Sequence, residues 1–175
     1  IRVEHAELPT WLRTNAMDGG IERAIVSSVV PLSDELEQAI ESLPYPCLRM
    51  SAQLKMPFSI AYQTPETLGP DRLAAVAEAC AQKPGSDLLV IDIGTAITYD
   101  IVTAQGVYLG GNISPGIGMR FKALHHFTGK LPLVDKEGVR TDIGNTTETA
   151  IREGVLQGVC YEIEGYIRAC SIKYP

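Results

Sequence analysis

Polar residues with phosphate-binding chemistry interrupt an apolar segment in the middle of the chain. Residues 88–91 are apolar, Asp92, Gly94, Thr95 and Thr98 come next, and the apolar pattern then resumes. Because the interruption is too short for a helix, the pattern predicts two strands joined by a tight hairpin. Glycine can adopt a positive φ and let a ligand approach the backbone, turn amides can point outward at an anion, and threonine hydroxyls add donors. Asp92 at the strand end could hold a cation, although such residues, taken alone, more often form a plain hairpin that the aspartate caps.

A second group of polar residues lies at a predicted helix start. Gly69 is expected as the N-cap and Pro70 as the first residue of a helix that continues to about Gln82. Asp71 would then lie in the first turn, where the helix dipole favours a negative charge, and Arg72 could hold a carboxylate or a phosphate with a bidentate fork. Without further context, Asp71 would be expected to satisfy free backbone amides and Arg72 to form a surface ion pair.

These two groups, together with two later segments, resemble the type III pantothenate kinase family. Residues 69–72 match the Gly-x-Asp-Arg motif of that family, and residues 92–100 match its second phosphate motif. Residues 110–116 resemble its glycine-rich segment before a helix, and Thr147 resembles a position in its last substrate-contacting motif. The resemblance covers roughly residues 28–158, and the combination is far more specific than any one motif.

The resemblance implies a role for each candidate residue. Asp71 corresponds to the base that takes the proton from the pantothenate hydroxyl, and Arg72 to the group that holds the pantothenate carboxylate or a phosphate oxygen. The other residues implied to contact the substrate are Tyr62, Gly69, Pro70 and Thr147, those implied to contact ATP are Gly94, Thr95 and Thr98, and Asp92 is implied to bind a monovalent cation. Glycines 110, 111 and 116 would keep the wall of the ligand cleft low, or would simply form a flexible loop.

The activity implied by the resemblance is ATP-dependent phosphorylation of pantothenate to 4′-phosphopantothenate, the first step of coenzyme A synthesis. The implied enzyme is a cytoplasmic homodimer that uses Mg²⁺ with ATP and potassium or ammonium as the monovalent cation. Two alternatives are a non-catalytic regulatory relative of the accessory transcription factor type, and a kinase of the same superfamily with another small hydroxyl or carboxylate acceptor. Asp71, Arg72, Asp92 and Thr95 argue against the first, and Tyr62 with the Gly-x-Asp-Arg motif argues against the second.

The resemblance also implies an α/β fold of two ribonuclease-H-like halves with mixed sheets and a cleft between them, as in actin, hexokinase and the heat-shock chaperone ATPases. Pattern alone predicts only an α/β protein with a mixed sheet. The halves are expected at residues 1–85 and 86–175, without the opening and last strands, because the family's Asp-x-Gly-Asn-Thr strand and its C-terminal strand are not in this sequence. Residues 142–146 spell that motif, but charged rather than apolar residues precede them, so a loop is predicted there.

Periodicity and capping residues predict the separate elements. Helices are expected at residues 8–13, 34–43, 70–82, 115–127 and 147–172, and strands at 24–30, 46–50, 88–93, 97–103 and 106–110, with an extended segment at 54–62. Ser33 and Ser114 are predicted N-caps of the second and fourth helices, and Thr146 or Thr147 of the last.

The last predicted helix contains three glycines, at positions 154, 158 and 165. Glycine weakens a helix by roughly 1 kcal/mol relative to alanine, which favours close backbone packing against another element. That element could belong to a second copy of the chain or to the same chain. The homodimer implied by the family resemblance favours the first.

Composition is typical of a folded enzyme domain. The chain has 175 residues, of which 45% are hydrophobic and 21% charged, so it can bury a core. A net charge of −6 without a basic cluster argues against nucleic acid or an anionic membrane as the main partner. The four cysteines are scattered and are expected to be buried free thiols, and the adjacent His125 and His126 lack the spacing of a zinc pair.

Overall fold

The computed structural model describes residues 3–16 and 20–174. The chain divides into two compact units, one formed by Ile1–Met56 with Thr64–Ala74 and the other by Pro57–Gln63 with Ala75–Pro175. The expected division into residues 1–85 and 86–175 stays a prediction.

The first unit combines two helices with a small parallel sheet. Its elements are α1 (Leu8–Asn15), β1 (Ala24–Val26), α2 (Asp34–Glu41) and β2 (Cys47–Arg49), and β1 pairs with β2. Ser33 caps α2 as predicted, since its hydroxyl accepts a hydrogen bond from the Leu36 amide at 3.3 Å. Leu36, Ala39 and Ile40 form the buried face of this helix, which confirms the apolar periodicity read from the sequence.

The prediction of a strand from 24 to 30 is wrong in its second half. The strand ends at Val26, and the Ser28 hydroxyl donates to the Val30 carbonyl at 2.7 Å and accepts from the Val30 amide at 3.3 Å. This local turn satisfies backbone groups that a strand would have paired with a neighbour. The predicted strand 46–50 is likewise shortened to its central residues, Cys47–Arg49.

The second unit is built around a mixed four-stranded sheet. Its elements are β3 (Ser59–Ile60), β4 (Leu88–Ile93), β5 (Ala96–Val102), β6 (Val107–Pro115), α4 (Ile117–Phe127) and α5 (Thr147–Lys173). A 3₁₀ turn at Pro65–Thr67 and the first residues of α3 (Pro70–Gln82) belong to the first unit, and α3 continues into the second unit from Ala75. Strands β4, β5 and β6 form an antiparallel meander, and β3 joins β6 in parallel, so the order is β3-β6-β5-β4. The meander and the mixed α/β class confirm the sequence prediction. Of the extended segment predicted at 54–62, only β3 is a strand.

The end of β6 differs most from expectation. The sequence predicted a strand to Gly110 and a helix from Pro115 capped by Ser114, but β6 continues to Pro115, and Gly116 is the N-cap of α4. The hydroxyl of Ser114 instead donates to Glu162 on α5 at 2.5 Å. A side chain that is bonded across to another helix is not available to cap its own, so the tertiary contact overrides the local capping preference.

Helix α5 begins as predicted. The Thr146 side chain accepts from the Thr149 amide, and the Thr149 hydroxyl accepts from the Thr146 amide, which completes a capping box. Thr147 is therefore the first helical residue and not the cap. The apolar stripe of α5 packs on two core clusters, one with Phe121 and Val134 and the other with the strand residues of β5.

Two expectations need correction, one about the glycines of α5 and one about the cysteines. A Cβ built at Gly154, Gly158 or Gly165 meets no atom within 4 Å, so close packing of these glycines within the described chain is excluded. Cys160 is exposed, whereas Cys47, Cys80 and Cys170 are half-buried free thiols. No helix in the described ranges is long and apolar enough to cross a membrane.

Candidate functional site

The predicted phosphate turn is the two-residue connection between β4 and β5. Ile93 pairs with Ile97, and Gly94 and Thr95 are exposed at the tip. Gly94 does not adopt a positive φ, and its amide donates to the Ala96 carbonyl at 2.9 Å, so this amide of the turn does not point outward at an anion. The space above Gly94 is open, because an added Cβ would meet its nearest atom only at 3.7 Å. The turn therefore offers an uncovered backbone and the Thr95 hydroxyl to a ligand.

Asp92 and Thr98 lie directly opposite each other in the β4–β5 register. Opposite residues of an antiparallel pair project from the same face of the sheet, so this pair places a carboxylate and a hydroxyl side by side. Asp92 is exposed and Thr98 is half-buried. Oxygen donors of this kind fit a hard cation such as potassium. No group of three or more metal-ligating side chains occurs among the residues that the structure describes.

The glycine-rich segment is a strand on which the turn rests, and not a flexible loop. The Gly116 amide donates to the Thr95 carbonyl at 3.0 Å. A Cβ at Gly116 would lie 2.3 Å from the carbonyl oxygens of both Gly94 and Thr95, and one at Gly111 would lie 1.9 Å from the Tyr99 carbonyl oxygen. Both glycines are thus required because two backbones approach closely. Gly116 is the one that contacts the turn and determines its position.

Tyr62 is positioned by the first glycine of the same segment. Leu109 and Gly110 form a bulge opposite β5, where Gly110 has a φ of +96°. A Cβ at Gly110 would lie 2.6 Å from Cδ2 of the Tyr62 ring. Glycine therefore serves twice here, since it accepts the left-handed conformation of the bulge and leaves room for the ring.

A buried pair of polar side chains lies next to this tyrosine. The Tyr108 hydroxyl donates to Oδ1 of Asp100 at 2.6 Å, and both side chains are almost completely buried. The ring of Tyr62 is 6.5 Å from that of Tyr108. Asp100 is the last residue of the segment 92–100 that resembles the phosphate motif. Because it is buried within β5, it has a structural role there.

The Gly-x-Asp-Arg segment starts α3 as predicted. The Gly69 carbonyl accepts from the Leu73 amide at 3.3 Å, and Oδ1 of Asp71 accepts from the Arg72 amide at 2.9 Å. A Cβ at Gly69 would lie 2.4 Å from that same Oδ1, so glycine leaves space for the carboxylate. Asp71 is exposed, whereas Arg72 is 7% exposed. Arg72 is accordingly a buried residue, contrary to the surface ion pair considered as an alternative.

An open cleft of about 640 Å³ borders the phosphate turn. It is lined by Ile93, Gly94, Ile117, Gly118, Phe121, Lys122, Leu133, Val134, Asp135 and Lys136. Apolar side chains thus face the cleft beside the exposed turn, and Lys122 and Lys136 bring two positive charges to its lining. The combination suits a ligand with an apolar or aromatic part and a phosphate. Neither lysine was predicted from the sequence, because neither lies in a recognisable motif.

The long segment before α5 is held against that helix by charged side chains. Arg152, which is 6% exposed, donates from Nε to the Asp135 carbonyl at 3.0 Å. Glu153 accepts from Nε and Nη2 of Arg140 at 2.8 and 3.0 Å, and this hydrogen bonding lowers the pKa of Glu153. These contacts fix one wall of the cleft.

The sequence Asp142–Thr146 forms a loop, as predicted. A Cβ at Gly144 would lie 2.2 Å from Cα of Ala150, so this glycine allows the loop to pack on the first turn of α5. Thr147 lies at that helix start and is exposed.

One cluster of hydrogen-bonded polar side chains was not predicted from the sequence. Tyr99, Ser114, Arg120 and Glu162, named here the Glu162 network, converge from β5, β6, α4 and α5. Burial alone would raise the pKa of Glu162, but hydrogen bonds from Ser114, Arg120 and Tyr99 outweigh it and lower that pKa. Burial and the bond to Glu162 raise the pKa of Tyr99 to about 12. The signal in the sequence is a glutamate at a helical spacing that otherwise carries the buried Val155 and Val159.

The mixed sheet, whose exposed hairpin turn rests on a glycine-rich strand beside an open cleft, defines an α/β protein with a candidate ligand site at that turn. The sequence profile of the type III pantothenate kinases matches residues 2–169. The chain belongs to that family, which confirms the resemblance seen in the sequence.

Individual relatives agree with this assignment. The chain is 53% identical over 155 residues to a type III pantothenate kinase of Bacteroides fragilis and 49% identical over 155 residues to one of Phocaeicola vulgatus. Each alignment covers 89% of this chain and 64% of the relative, so the chain spans somewhat less than two thirds of their length.

A solved structure shares the fold. The crystal structure of a conserved protein from Campylobacter jejuni, described as a Baf family transcriptional activator, aligns with a TM-score of 0.55 at 24% identity, over 90% of this chain and 67% of that one. At this identity the likeness concerns the fold alone.

Proposed function

We propose that the protein transfers the γ-phosphoryl group of ATP to the hydroxyl of pantothenate, giving 4′-phosphopantothenate and ADP in the first step of coenzyme A synthesis. The observation that carries this proposal is membership of the type III pantothenate kinase family across residues 2–169. The relatives that are about half identical carry the name of that activity.

Asp71 is the proposed base. Phosphoryl transfer needs an oriented hydroxyl and neutralised charge more than covalent help from the protein. The pantothenate oxygen forms a bond to the γ-phosphorus, the bond from that phosphorus to the bridging oxygen breaks, and the hydroxyl proton passes to the carboxylate. The exposed position of Asp71 and the space left by Gly69 support this role. The other proposed substrate contacts are Arg72 for a carboxylate or phosphate oxygen, with Tyr62, Pro70 and Thr147.

The nucleotide is proposed to bind at the turn between β4 and β5. Gly94, Thr95 and Thr98 would contact phosphate oxygens, and Asp92 would hold potassium or ammonium close to the phosphates. ATP would bring Mg²⁺ with it. The open space above Gly94 and the adjoining cleft support this placement, since phosphates need donors that no side chain covers.

The protein is proposed to be a cytoplasmic homodimer, and each chain is proposed to fold as two ribonuclease-H-like halves with a cleft between them. The open surface beside Gly154, Gly158 and Gly165 is compatible with a second copy that packs on α5. The family resemblance supports both the dimer and the two-half fold.

The variant Asp71→Asn tests the proposed base. Asparagine keeps an oxygen that can accept from the Arg72 amide but cannot take the substrate proton, so turnover should fall by about 10² or more at near-normal ATP affinity. The matched control is Glu78→Gln on the same helix, which changes an exposed carboxylate and should leave turnover unaltered. Coupled ADP release measures turnover, and calorimetry measures ATP binding.

Full turnover in Asp71→Asn would remove Asp71 from the mechanism. Pantothenate as the substrate would be contradicted if the wild-type protein only hydrolysed ATP, or transferred its phosphate only to another acceptor.

A further inference from the structure

We propose that Glu162 is a positioning residue for the nucleotide: through Arg120 it holds in place the backbone that supports the turn at Gly94 and Thr95. The inference rests on the proposed function, because it treats this turn as part of the ATP site. It concerns residues that do not line the cleft beside the turn and that make no contact with a ligand in the mechanism described above.

The first link joins α5 to the end of β6. The Glu162 carboxylate accepts from Nη2 of Arg120 at 2.5 Å and from the Ser114 hydroxyl at 2.5 Å. Nε of Arg120 donates to the Pro115 carbonyl at 2.8 Å. One guanidinium therefore connects the helix carboxylate to the backbone of the last strand residue, and a planar fork is suited to two such bonds at fixed angles.

The second link joins the end of β6 to the turn. Gly116 follows Pro115 directly, and its amide donates to the Thr95 carbonyl at 3.0 Å. No space is left between the two backbones, because a Cβ at Gly116 would lie 2.3 Å from the carbonyl oxygens of Gly94 and Thr95. A close-packed contact transmits displacement, so a shift of the Pro115 carbonyl moves the turn.

The negative charge of Glu162 is necessary for this arrangement. The carboxylate receives three donors, from Tyr99, Ser114 and Arg120. A glutamine in its place would turn an amide donor toward one of them and would lose the charge-assisted bond to the guanidinium. Tyr99 is held by ring stacking on Tyr166, with centroids 3.8 Å apart, so it has little freedom to compensate.

The test compares Glu162→Gln with the control Glu164→Gln, an exposed carboxylate two positions further on the same helix. In the purified protein, Glu162→Gln should raise the KM for ATP by about tenfold and leave the KM for pantothenate and kcat within twofold of wild type. Arg120→Lys should act in the same direction, since an ammonium cannot reproduce both bonds of the fork. Glu164→Gln should change neither constant.

Amide hydrogen exchange without ligand gives an independent measurement. Exchange in residues 93–96 and at Gly116 should be faster in Glu162→Gln than in wild type and unchanged in Glu164→Gln. This measurement separates the two proposals. If wild-type protein does not phosphorylate pantothenate, the proposed function fails, while faster exchange in the variant still supports the network and equal exchange overturns it.

Two kinetic results would also overturn the inference. The first is a lower kcat with an unchanged KM for ATP in both Glu162→Gln and Arg120→Lys, which would indicate only a loss of folded protein. The second is an equal rise in the KM for ATP and for pantothenate, which would indicate a general loosening rather than a specific effect on the turn.

Discussion

Replacing Gly116 with alanine should displace the turn at Gly94 and Thr95. The new Cβ would lie 2.3 Å from the carbonyl oxygens of both turn residues, and real contacts of this kind are not shorter than 3.0 Å. The turn must therefore move away by roughly 0.7 Å, and the hydrogen bond from the Gly116 amide to Thr95 must lengthen or bend.

The size of the expected loss of stability follows from the overpacking of an already close contact. Such substitutions cost about 1 to 3 kcal/mol, which for a chain of this size lowers the melting temperature by about 2 to 12 °C. If the turn binds the ATP phosphates, a displacement approaching 1 Å should also reduce kcat/KM for ATP by up to about 10²-fold.

The matched control is Gly94→Ala in the same turn. Its Cβ would meet the Ala96 carbonyl oxygen at 3.7 Å, an ordinary contact, and Gly94 does not occupy the left-handed region. Its melting temperature should stay within about 2 °C of wild type, since a substitution without a clash or strain usually changes stability by less than about 0.5 kcal/mol. Differential scanning calorimetry of the two variants gives the comparison directly. An unchanged melting temperature for Gly116→Ala, or an equal loss in both variants, would refute the packing argument.

Three further outcomes are expected. Tyr108→Phe removes the hydroxyl that donates to the buried Asp100 and should lower the free energy of unfolding by about 1 to 3 kcal/mol in urea titrations, and an unchanged midpoint would contradict this. The pKa of Glu162 is lower in the folded chain than its ordinary value of 4.5, so its stabilisation is present above pH 4.5 and is lost as the pH falls through the lowered pKa. The stability difference between wild type and Glu162→Gln should accordingly shrink below pH 4.5, and a constant difference would oppose the assignment. Asp92→Ala should abolish stimulation of turnover by potassium, which equal rates of wild type in sodium and potassium buffers would disprove.

Several features of this protein follow from local sequence. The bounds of α3 and β4 and the capping of α2 and α5 agree with prediction, because proline at N1, capping hydroxyls and apolar periodicity act within a few residues. The family was also evident from sequence, since the motifs around Asp71 and Asp92 are short and contiguous.

Tertiary structure decided the rest. The sequence could not predict that β6 would continue to Pro115, because the Ser114 hydroxyl bonds to Glu162, a residue distant along the chain. From the sequence alone, Gly111 and Gly116 could have belonged to a flexible loop. In the structure they are required by close backbone contacts with β5 and its turn. The Glu162 network was missed for the same reason: its members come from four elements, and their hydrogen bonds exist only once packing brings those elements together.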